Sequence, residues 1–454
     1  MNIVQITPGA GAMFCGNCFR DNALVAALRK QGHSVLMVPL YLPLTLDEAD
    51  ETRGTPIFFN GVNVYLEQKS EWFRTAPNWV HRLFASRRLL NWASGRAAKT
   101  RAADLGDITL SMIRGEEGHQ ARELDELIAF LKSQPRPDII CLSNALLAGM
   151  ARRLKSELGA PVACVLQGED TFLDALPDSH RDLTWKTLAE RCADIDLFIP
   201  PSNYFGNRMR ERLKLPAGRV RVIYDGINLA GYEAVQNTQL KNPDAPTLGY
   251  FARMCREKGL DTLVDAFIIL KERDRVKNLK LKIGGGCGPS DQPLVDALCE
   301  RLRAKTFLGD VEFFPNVDRA GKLALLRSLS VFSVPALYGE AFGLYVIEAL
   351  ASGVPVVQPA HAAFPELVEL SGGGVLCAPG NPGALADAIE PLLVDQARAR
   401  GLGLAGQKSV REKFNAEQMA GETIRAYEET LDRHRASPDF RRPPFSVANQ
   451  PAKT

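Results

Sequence analysis

The sequence predicts an α/β protein with two Rossmann-like domains. Its 454 residues are enough for two domains of roughly 150–200 residues, each with its own buried core. A short apolar strand, a loop with glycines, a helix and a second strand open the chain, over residues 3–38. A similar strand, loop and helix pattern recurs at 329–355, where the helix ends in Ser352-Gly353 with Pro355 just beyond.

Composition and charge narrow the class of protein. The net charge of +2 gives no reason to expect a nucleic-acid partner. The first residues lack the features of a signal peptide, and no apolar run approaches the roughly 20 residues that span a bilayer. Nine cysteines, an odd number and mostly within apolar strands, indicate reduced and buried thiols. We therefore expect a soluble, cytoplasmic protein.

The first loop carries Gly9, Gly11 and Gly16, between a strand at 3–6 and a helix predicted at 20–31. Such loops line the ligand crevice at the ends of parallel strands. The glycine spacing is not G-x-G-x-x-G, and no acidic residue follows the second strand, at 35–38, to hold a ribose. The pattern is therefore not that of a dinucleotide-dependent dehydrogenase.

Cys15 and Cys18 form a C-x-x-C motif in the same loop. Such a motif can be half of a zinc site, a redox pair at a helix N-terminus, or two packed thiols. Neither a second C-x-x-C nor a histidine pair at ligand spacing accompanies it, which argues against structural zinc. Two packed thiols are the default interpretation, with redox activity as the alternative.

Residues 42–122 are interpreted as an insertion in the first domain. Within them, the segment 71–101 contains three of the four tryptophans among seven basic side chains and one acidic side chain. A basic, aromatic and helical segment can lie on a membrane surface or receive a lipid-linked acceptor. The alternative is that the tryptophans are core residues and the arginines a solvated face.

Two later strands of the first domain, at 137–142 and 162–166, end in polar residues. Because parallel strands present their carboxyl ends to one crevice, these residues are candidates for contact with an acceptor. The candidates are Asn144, Gln167, Glu169 and Asp170. Glu169 and Asp170 have a second interpretation, as caps of the next helix.

The second half of the chain carries a basic pair and a glycine-rich turn. Arg253 and Lys258 lie in a predicted loop between a strand at 248–251 and a helix at 260–273, from which both can reach one phosphate pair. The alternative is a solvated basic turn partly neutralised by Glu257. A strand at 279–283 leads into three glycines, Gly284 to Gly286, but no Lys-Ser/Thr follows, so this is not a Walker loop.

Two carboxylates mark the loop and helix after residue 334. Glu340 lies in the loop between Gly339 and Gly343, and Glu348 lies in the helix. A glycine loop before a helix N-terminus presents unpaired N–H groups and a positive dipole end to phosphate. The alternative is one carboxylate favoured by the dipole and one solvated glutamate.

The run G-E-A-F-G-L-Y-V-I-E-A-L-A-S-G-V-P-V-V, residues 339–357, resembles the donor-site signature of retaining glycosyltransferases of the GT-B fold, family 4 in particular. Residues 220–228 are similar to that family's N-G-[IV]-D segment, with Asp225 in place of the asparagine. Residues 364–368 are similar to its G-G-x-P-E-[IL]-V segment, with two alanines in place of the glycines. The resemblance extends over about residues 1–435, strongest at 248–394 and weakest at 41–122.

The resemblance implies a role for each candidate residue. Glu340 would contact the donor sugar hydroxyls, Glu348 the ribose, and Arg253 and Lys258 the diphosphate. Close backbone approach to the donor is implied for Gly11, Gly16, Gly286, Phe342, Gly343 and Leu344. Gln167 stands where family members commonly carry a histidine, which removes a titratable group from the acceptor side.

The implied reaction is transfer of a sugar from a nucleotide-sugar donor to a hydroxyl of a glycan, lipid-linked or small-molecule acceptor, with retention of configuration. We expect no metal, since no Asp-x-Asp stands where it would hold one, and no cofactor. A non-catalytic sugar-nucleotide or glycan-binding protein, and another GT-B enzyme such as an epimerase or phosphorylase, remain as alternatives.

The predicted domain boundaries follow from the same patterns. An N-terminal acceptor domain at 1–232 is followed by a linker at 233–246 and a donor domain at 247–412. A cross-over helix at 413–435 would pack on the first domain, so that the two domains face one cleft. Residues 436–454 are predicted to be a disordered tail.

Overall fold

The computed structural model describes residues 1–9, 15–59, 102–232 and 245–436. Several predictions lie outside the described residues: the position of Gly11, the basic and aromatic segment 71–101, most of the linker, and the tail beyond residue 436.

The chain divides into two units. Unit 1 consists of Met1–Pro201, Phe205–Ile223 and the chain from Ala420 onward, and unit 2 of Ser202–Tyr204 and Tyr224–Met419. The division thus falls before the predicted domain end at residue 232. The last helix begins in unit 2 and belongs to unit 1 from Ala420.

Unit 1 is built on a five-stranded parallel sheet in the order β2-β1-β3-β4-β5. The strands are β1 (Asn2–Thr7), β2 (Ser34–Pro39), β3 (Ile139–Leu142), β4 (Val162–Val165) and β5 (Leu197–Ile199). All four residues of β3 and of β4 are buried. Uninterrupted apolar strands are expected when helices cover both faces of a parallel sheet.

The parts of residues 1–232 that the structure describes form seven α-helices. They are α1 (Gly16–Lys30), α2 (Ala102–Arg114), α3 (Ala121–Lys132), α4 (Ala151–Leu158), α5 (Glu169–Asp174), α6 (Asp178–Arg191) and α7 (Asn203–Leu213). Helix α1 begins earlier than predicted, directly after Cys15. A 3-10 segment, Ala145–Met150, precedes α4.

Unit 2 carries a six-stranded parallel sheet in the order β11-β10-β9-β6-β7-β8. Its strands are β6 (Thr247–Phe251), β7 (Lys280–Gly285), β8 (Val311–Pro315), β9 (Val331–Phe332), β10 (Val356–Pro359) and β11 (Gly374–Cys377). Its helices are α8 (Leu260–Arg273), α9 (Gln292–Ala304), α10 (Arg319–Arg327), α11 (Leu344–Ala351), α12 (Phe364–Ser371), α13 (Pro382–Val394), α14 (Gln396–Lys413) and α15 (Ala416–Ala436), which continues into unit 1. Both sheets are therefore Rossmann-like.

Residues 220–224 do not form a strand of the sheet. The amide groups of Arg221 and Ile223 donate to the carbonyls of Phe198 and Pro200, at 2.9 and 3.1 Å. Only a single bridge, between Phe198 and Val220, forms beside β5. The segment follows the sheet edge, but its contacts are too few for a ladder, because β5 itself is only three residues long.

No helix within the described ranges is long and apolar enough to cross a membrane.

Candidate functional site

The site in unit 2 is centred on Glu340, in the loop between β9 and α11. Its Oε2 atom accepts three hydrogen bonds, from Lys258 Nζ at 2.5 Å, the Tyr345 hydroxyl at 2.8 Å and the Tyr338 hydroxyl at 2.9 Å. Its Oε1 atom accepts no hydrogen bond from any residue that the structure describes. One oxygen of the carboxylate is thus fixed by the protein, and the other remains available to a ligand.

Glu340 is held in its ionised form. Burial alone would raise the pKa of Glu340, but the neighbouring Lys258 ammonium and the hydrogen bonds from Lys258 and the two tyrosines outweigh it and lower the pKa. The side chains of Lys258 and Glu340 are only 19% and 14% exposed. The ammonium also lies 4.9 and 5.0 Å from the ring centroids of Tyr338 and Tyr345, where the electron-rich ring faces attract a cation.

The same loop opens the N-terminus of α11. Gly343 has φ of +105°, a left-handed conformation in which a side chain is strained. Among the described residues, no acceptor takes a hydrogen bond from the backbone N–H groups of Phe342, Gly343 and Leu344. Free N–H groups at the positive end of a helix dipole form a binding site for an anion such as phosphate.

Arg253 and Lys258, which the sequence predicted to act on one phosphate pair, have different partners here. Arg253 binds the buried carboxylate of Asp291, with Nε at 3.1 Å from both oxygens and Nη2 at 2.9 Å from Oδ1. The hydrogen bonds to Asp291 raise the pKa of Arg253. Its Nη1 atom donates to none of the described residues, and the side chain is 59% exposed. Asp291 thus orients the guanidinium and leaves one edge open.

The glycine-rich turn after β7 is tied down by side chains. Asn316 accepts a hydrogen bond from the Cys287 amide and donates to the Cys287 carbonyl, at 3.0 and 2.9 Å. The backbone requires a glycine at Gly285. Its φ is +121°, and a Cβ at this position would clash with the Ala252 carbonyl oxygen, at a distance of 2.0 Å. The predicted Gly286 has open space around it, so a ligand can approach the backbone there.

Glu348 is paired within the protein. Its Oε1 accepts a hydrogen bond from Lys322 Nζ, on α10, at 2.8 Å. Both side chains are largely buried, at 17% and 9% exposed. A ribose that reached Glu348 would share the carboxylate with this lysine, so Lys322 joins the candidate residues of the site.

In unit 1, the predicted acceptor-side residues mostly hold the protein together. The Asn144 side chain accepts from Leu146 N at 3.0 Å, capping the 3-10 segment. Asp170 is buried and paired with Arg208. Gln167, in the loop after β4, is half-buried. Gly16, which was predicted to approach the donor, is exposed as the first residue of α1.

Glu169 connects the ends of two strands. Its Oε1 accepts from Ala145 N at 2.7 Å, after β3, and its Oε2 from Gln167 N at 2.9 Å, after β4. Burial raises the pKa of Glu169 to about 7 in spite of these hydrogen bonds. Glu169 therefore does not cap α5, which has no side-chain cap, but joins the residues after β3 and β4, and a titratable group lies next to Gln167.

This pKa predicts a stability that depends on pH. Between the ordinary value of 4.5 and about 7, the folded protein keeps a proton that the unfolded chain has lost, so stability falls as pH rises, by up to about 3 kcal/mol. We expect Glu169→Gln to remove this decrease. Trp185 lies on α6 in the same unit, so urea unfolding followed by tryptophan fluorescence at pH 5 and pH 7.5 measures it. Glu190→Gln, at an exposed position of α6, is the matched control, and equal slopes in wild type and Glu169→Gln would contradict the prediction.

Four residues of the site were missed by sequence reasoning: Asp291, Lys322, Tyr338 and Tyr345. Asp291 and Lys322 contact Arg253 and Glu348, predicted site residues that are distant from them in the chain. Tyr338 and Tyr345 lie two residues before and five residues after Glu340, where their hydroxyl groups were a usable signal. Across the ranges that the structure describes, no group of three or more metal-binding side chains occurs.

Two parallel Rossmann-like sheets, with a carboxylate loop and open helix N-terminus in the second unit, define the class of GT-B glycosyltransferases. The family described as glycosyl transferases group 1 matches residues 232–409, and that described as glycosyltransferase family 4 matches residues 107–230. Together the two matches span well over half of the chain, and the chain belongs to this glycosyltransferase family.

Similar proteins are found among both sequences and structures. The D-inositol 3-phosphate glycosyltransferase of Streptomyces avermitilis is 30% identical, over 54% of each chain. The phosphatidyl-myo-inositol mannosyltransferase of Mycobacterium leprae is 34% identical, over 28% of this chain and 35% of that protein. The chain spans about half or less of the length of the curated relatives it matches.

Solved structures share the fold over nearly the whole chain. Sucrose-phosphate synthase from Thermosynechococcus elongatus has a TM-score of 0.68 at 19% identity, covering 95% of this chain and 99% of that one. The Anabaena protein HepE, in complex with UDP, has a TM-score of 0.66 at 15% identity, covering 94% and 100%. At these identities the likeness establishes the fold.

Proposed function

We propose that the protein transfers a glycosyl unit from a nucleotide-sugar donor to an acceptor hydroxyl, with retention of configuration and without a metal. The observation that carries this proposal is Glu340. Its carboxylate is kept ionised and fixed at one oxygen, with the other oxygen open, a few residues before a helix N-terminus with free N–H groups. A sugar hydroxyl and a phosphate need these two kinds of partner.

The reaction places negative charge on the departing diphosphate. The N–H groups before α11 and the Arg253 edge at Nη1 would stabilise this charge electrostatically, because they are oriented before the donor binds. Lys258 fixes Glu340 and adds positive charge beside it. A leaving phosphate oxygen would take the proton of the acceptor hydroxyl, so no separate general base is required.

Retention and the classes of donor and acceptor rest on the family resemblance. HepE has been solved with UDP and with UDP-glucose, so UDP-sugars are the first donors to test. Glycans, lipid-linked sugars and small hydroxyl compounds are the acceptor classes. A cytoplasmic location, with segment 71–101 against a membrane, is the setting in which a lipid-linked acceptor would be met.

A thermal-shift screen with UDP, GDP, ADP and their sugar conjugates tests the donor site. A ligand that binds only the folded protein stabilises it, by about 2.7 kcal/mol at a hundred times its Kd. We expect one nucleotide family to raise the melting temperature, equally with and without EDTA. Loss of the shift in EDTA would contradict metal independence, and no shift with any nucleotide would contradict the proposed donor site.

A second candidate is a binding protein without activity. Gln167 favours it, because an amide stands where related enzymes carry a titratable side chain. The two candidates differ in turnover. Release of nucleotide from the bound donor, with a glycosylated product detected by mass spectrometry, supports the enzyme, whereas donor binding without turnover across the acceptor classes supports the binding protein.

A further inference from the structure

Cys15 and Cys18 lie at the start of α1, a feature that the proposed transfer reaction does not use. Cys15 is the N-cap residue, with extended backbone angles, and the Phe19 amide donates to its carbonyl at 3.1 Å. Cys18 is the third residue of the helix and is fully buried, whereas Cys15 is partly exposed. Both are free thiols. The two side chains interact with each other, so the thiols are neighbours at the start of the helix.

The two thiols differ in their surroundings. A hydrogen bond from the Cys18 thiol, with further bonds from the Cys18 and Asn17 backbone, outweighs burial and lowers the pKa of Cys15 to about 7. The hydrogen bond to Cys15, together with burial, raises the pKa of Cys18. Asp21, which is fully buried and accepts a hydrogen bond from Ser143, opposes negative charge on both thiols. The lowered pKa indicates that Cys15, a partly exposed residue, is partly ionised near neutral pH, and the buried Cys18 lies beside it as a protonated thiol.

Other partly exposed thiols lack these features. Cys255, Cys287 and Cys299, all in unit 2, are partly exposed, and burial raises the pKa of each. Because the thiolate is the reactive form of cysteine, these three are internal controls of similar access but ordinary reactivity.

We propose that Cys15 and Cys18 form a reversible redox site that exchanges with low-molecular-weight disulfides. The Cys15 thiolate attacks one sulfur of the disulfide, forming a mixed disulfide and releasing one thiolate. Cys18 then gives its proton to solvent and attacks the Cys15 sulfur, closing a Cys15–Cys18 disulfide and releasing the second thiol. Two protein thiols are oxidised and one small disulfide is reduced to two thiols.

The geometry supports each step of this exchange. An accessible first sulfur at a helix N-terminus and a buried second sulfur three residues later are the arrangement in which one cysteine attacks and the other resolves. The strand β1 ends at Thr7 and Cys15 immediately precedes α1, so closing the disulfide would fix the end of the first strand-to-helix loop to the first turn of α1.

Alkylation kinetics with iodoacetamide, with each site quantified by peptide mass spectrometry, test reactivity without any assay of transfer. At pH 7 we expect Cys15 to react roughly fivefold faster than Cys255, Cys287 and Cys299, because its larger thiolate fraction outweighs its lower intrinsic nucleophilicity. Cys18→Ala removes the main cause of the lowered pKa, so Cys15 in this variant should titrate at higher pH. Equal rates at all four cysteines, or an unchanged titration in Cys18→Ala, would overturn the proposal.

Redox equilibration of the full chain in glutathione buffers tests the exchange itself. Wild type should form the Cys15–Cys18 disulfide and recover both thiols on return to excess glutathione, whereas Cys18→Ala should stop at a glutathione adduct on Cys15. Cys287→Ala is the matched control and should behave as wild type. A stable glutathione adduct on Cys15 in wild type, or no modification of either cysteine, would overturn the proposal.

Discussion

Glu340→Gln is expected to lower the rate of transfer about a hundredfold or more, the order of magnitude lost when one preorganised electrostatic partner is removed. Glutamine keeps the shape of the side chain, and its carbonyl oxygen can still accept from Tyr338 and Tyr345. The neutral glutamine side chain cannot carry the negative charge that balances Lys258. Its NH₂ group, in the place of Oε1, cannot accept a hydrogen bond from a hydroxyl group of the donor. The loss is therefore expected in transfer, with a small change in fold.

Initial rates with the donor identified by the thermal-shift screen measure this effect, and far-UV circular dichroism verifies the fold. Glu369→Gln is the matched control, since this glutamate lies at an exposed position of α12 in the same unit. Turnover equal to wild type in Glu340→Gln would contradict the role assigned to this carboxylate, whatever the donor proves to be.

Lys258→Met is expected to destabilise unit 2 by about 3 kcal/mol at pH 8, because removing one partner of a largely buried ion pair leaves the other charge uncompensated. In wild type, the lowered pKa of Glu340 means that the pair stabilises the fold above the ordinary carboxyl pKa, and that this stability is lost as pH falls through the lowered value. Without Lys258, burial becomes the main influence and raises the pKa of Glu340. Stability of the variant then falls as pH rises.

The measurement is the difference in melting temperature between wild type and Lys258→Met at pH 5 and pH 8. We expect the difference to be clearly larger at pH 8. The double variant Lys258→Met/Glu340→Gln has no unpaired charge at this position, so its difference from wild type should depend less on pH than that of Lys258→Met. A difference of the same size at both pH values in Lys258→Met would show that Glu340 is solvated rather than dependent on the lysine.

The elements that the sequence predicted well are those with strong local signals. Helix α8 has the predicted bounds, Leu260–Arg273, because its apolar residues recur at helical spacing directly after Gly259. Strand β9 was predicted at 329–334 but has only two residues, since its length depends on pairing with β6 and β10 rather than on its own side chains. Pairing of this kind is not encoded within a short segment.

The candidate site was predicted in its residues but not in their partners. Glu340 and Lys258 are 82 residues apart and make one ion pair. Arg253 and Lys258, five apart in the chain, bind different carboxylates. Arg253 turns instead to Asp291 on the next strand-to-helix connection. Side chains that meet through the topology of a sheet cannot be matched from sequence spacing. The motif therefore predicted the position of the loop, and the structure shows which charged side chains pair with Glu340 and Arg253.

The division of the chain into units has a consequence for the order in which the protein can be made. Unit 1 receives its last segment from α15, whose Tyr427 is fully buried. Domains generally begin to fold during synthesis, N-terminal first. Here unit 1, whose sheet is synthesised first, cannot be completed until the final helix has been made, and by then nearly all of unit 2 has been synthesised. A chain stopped at residue 419 would therefore leave unfinished the half of the protein that was synthesised first.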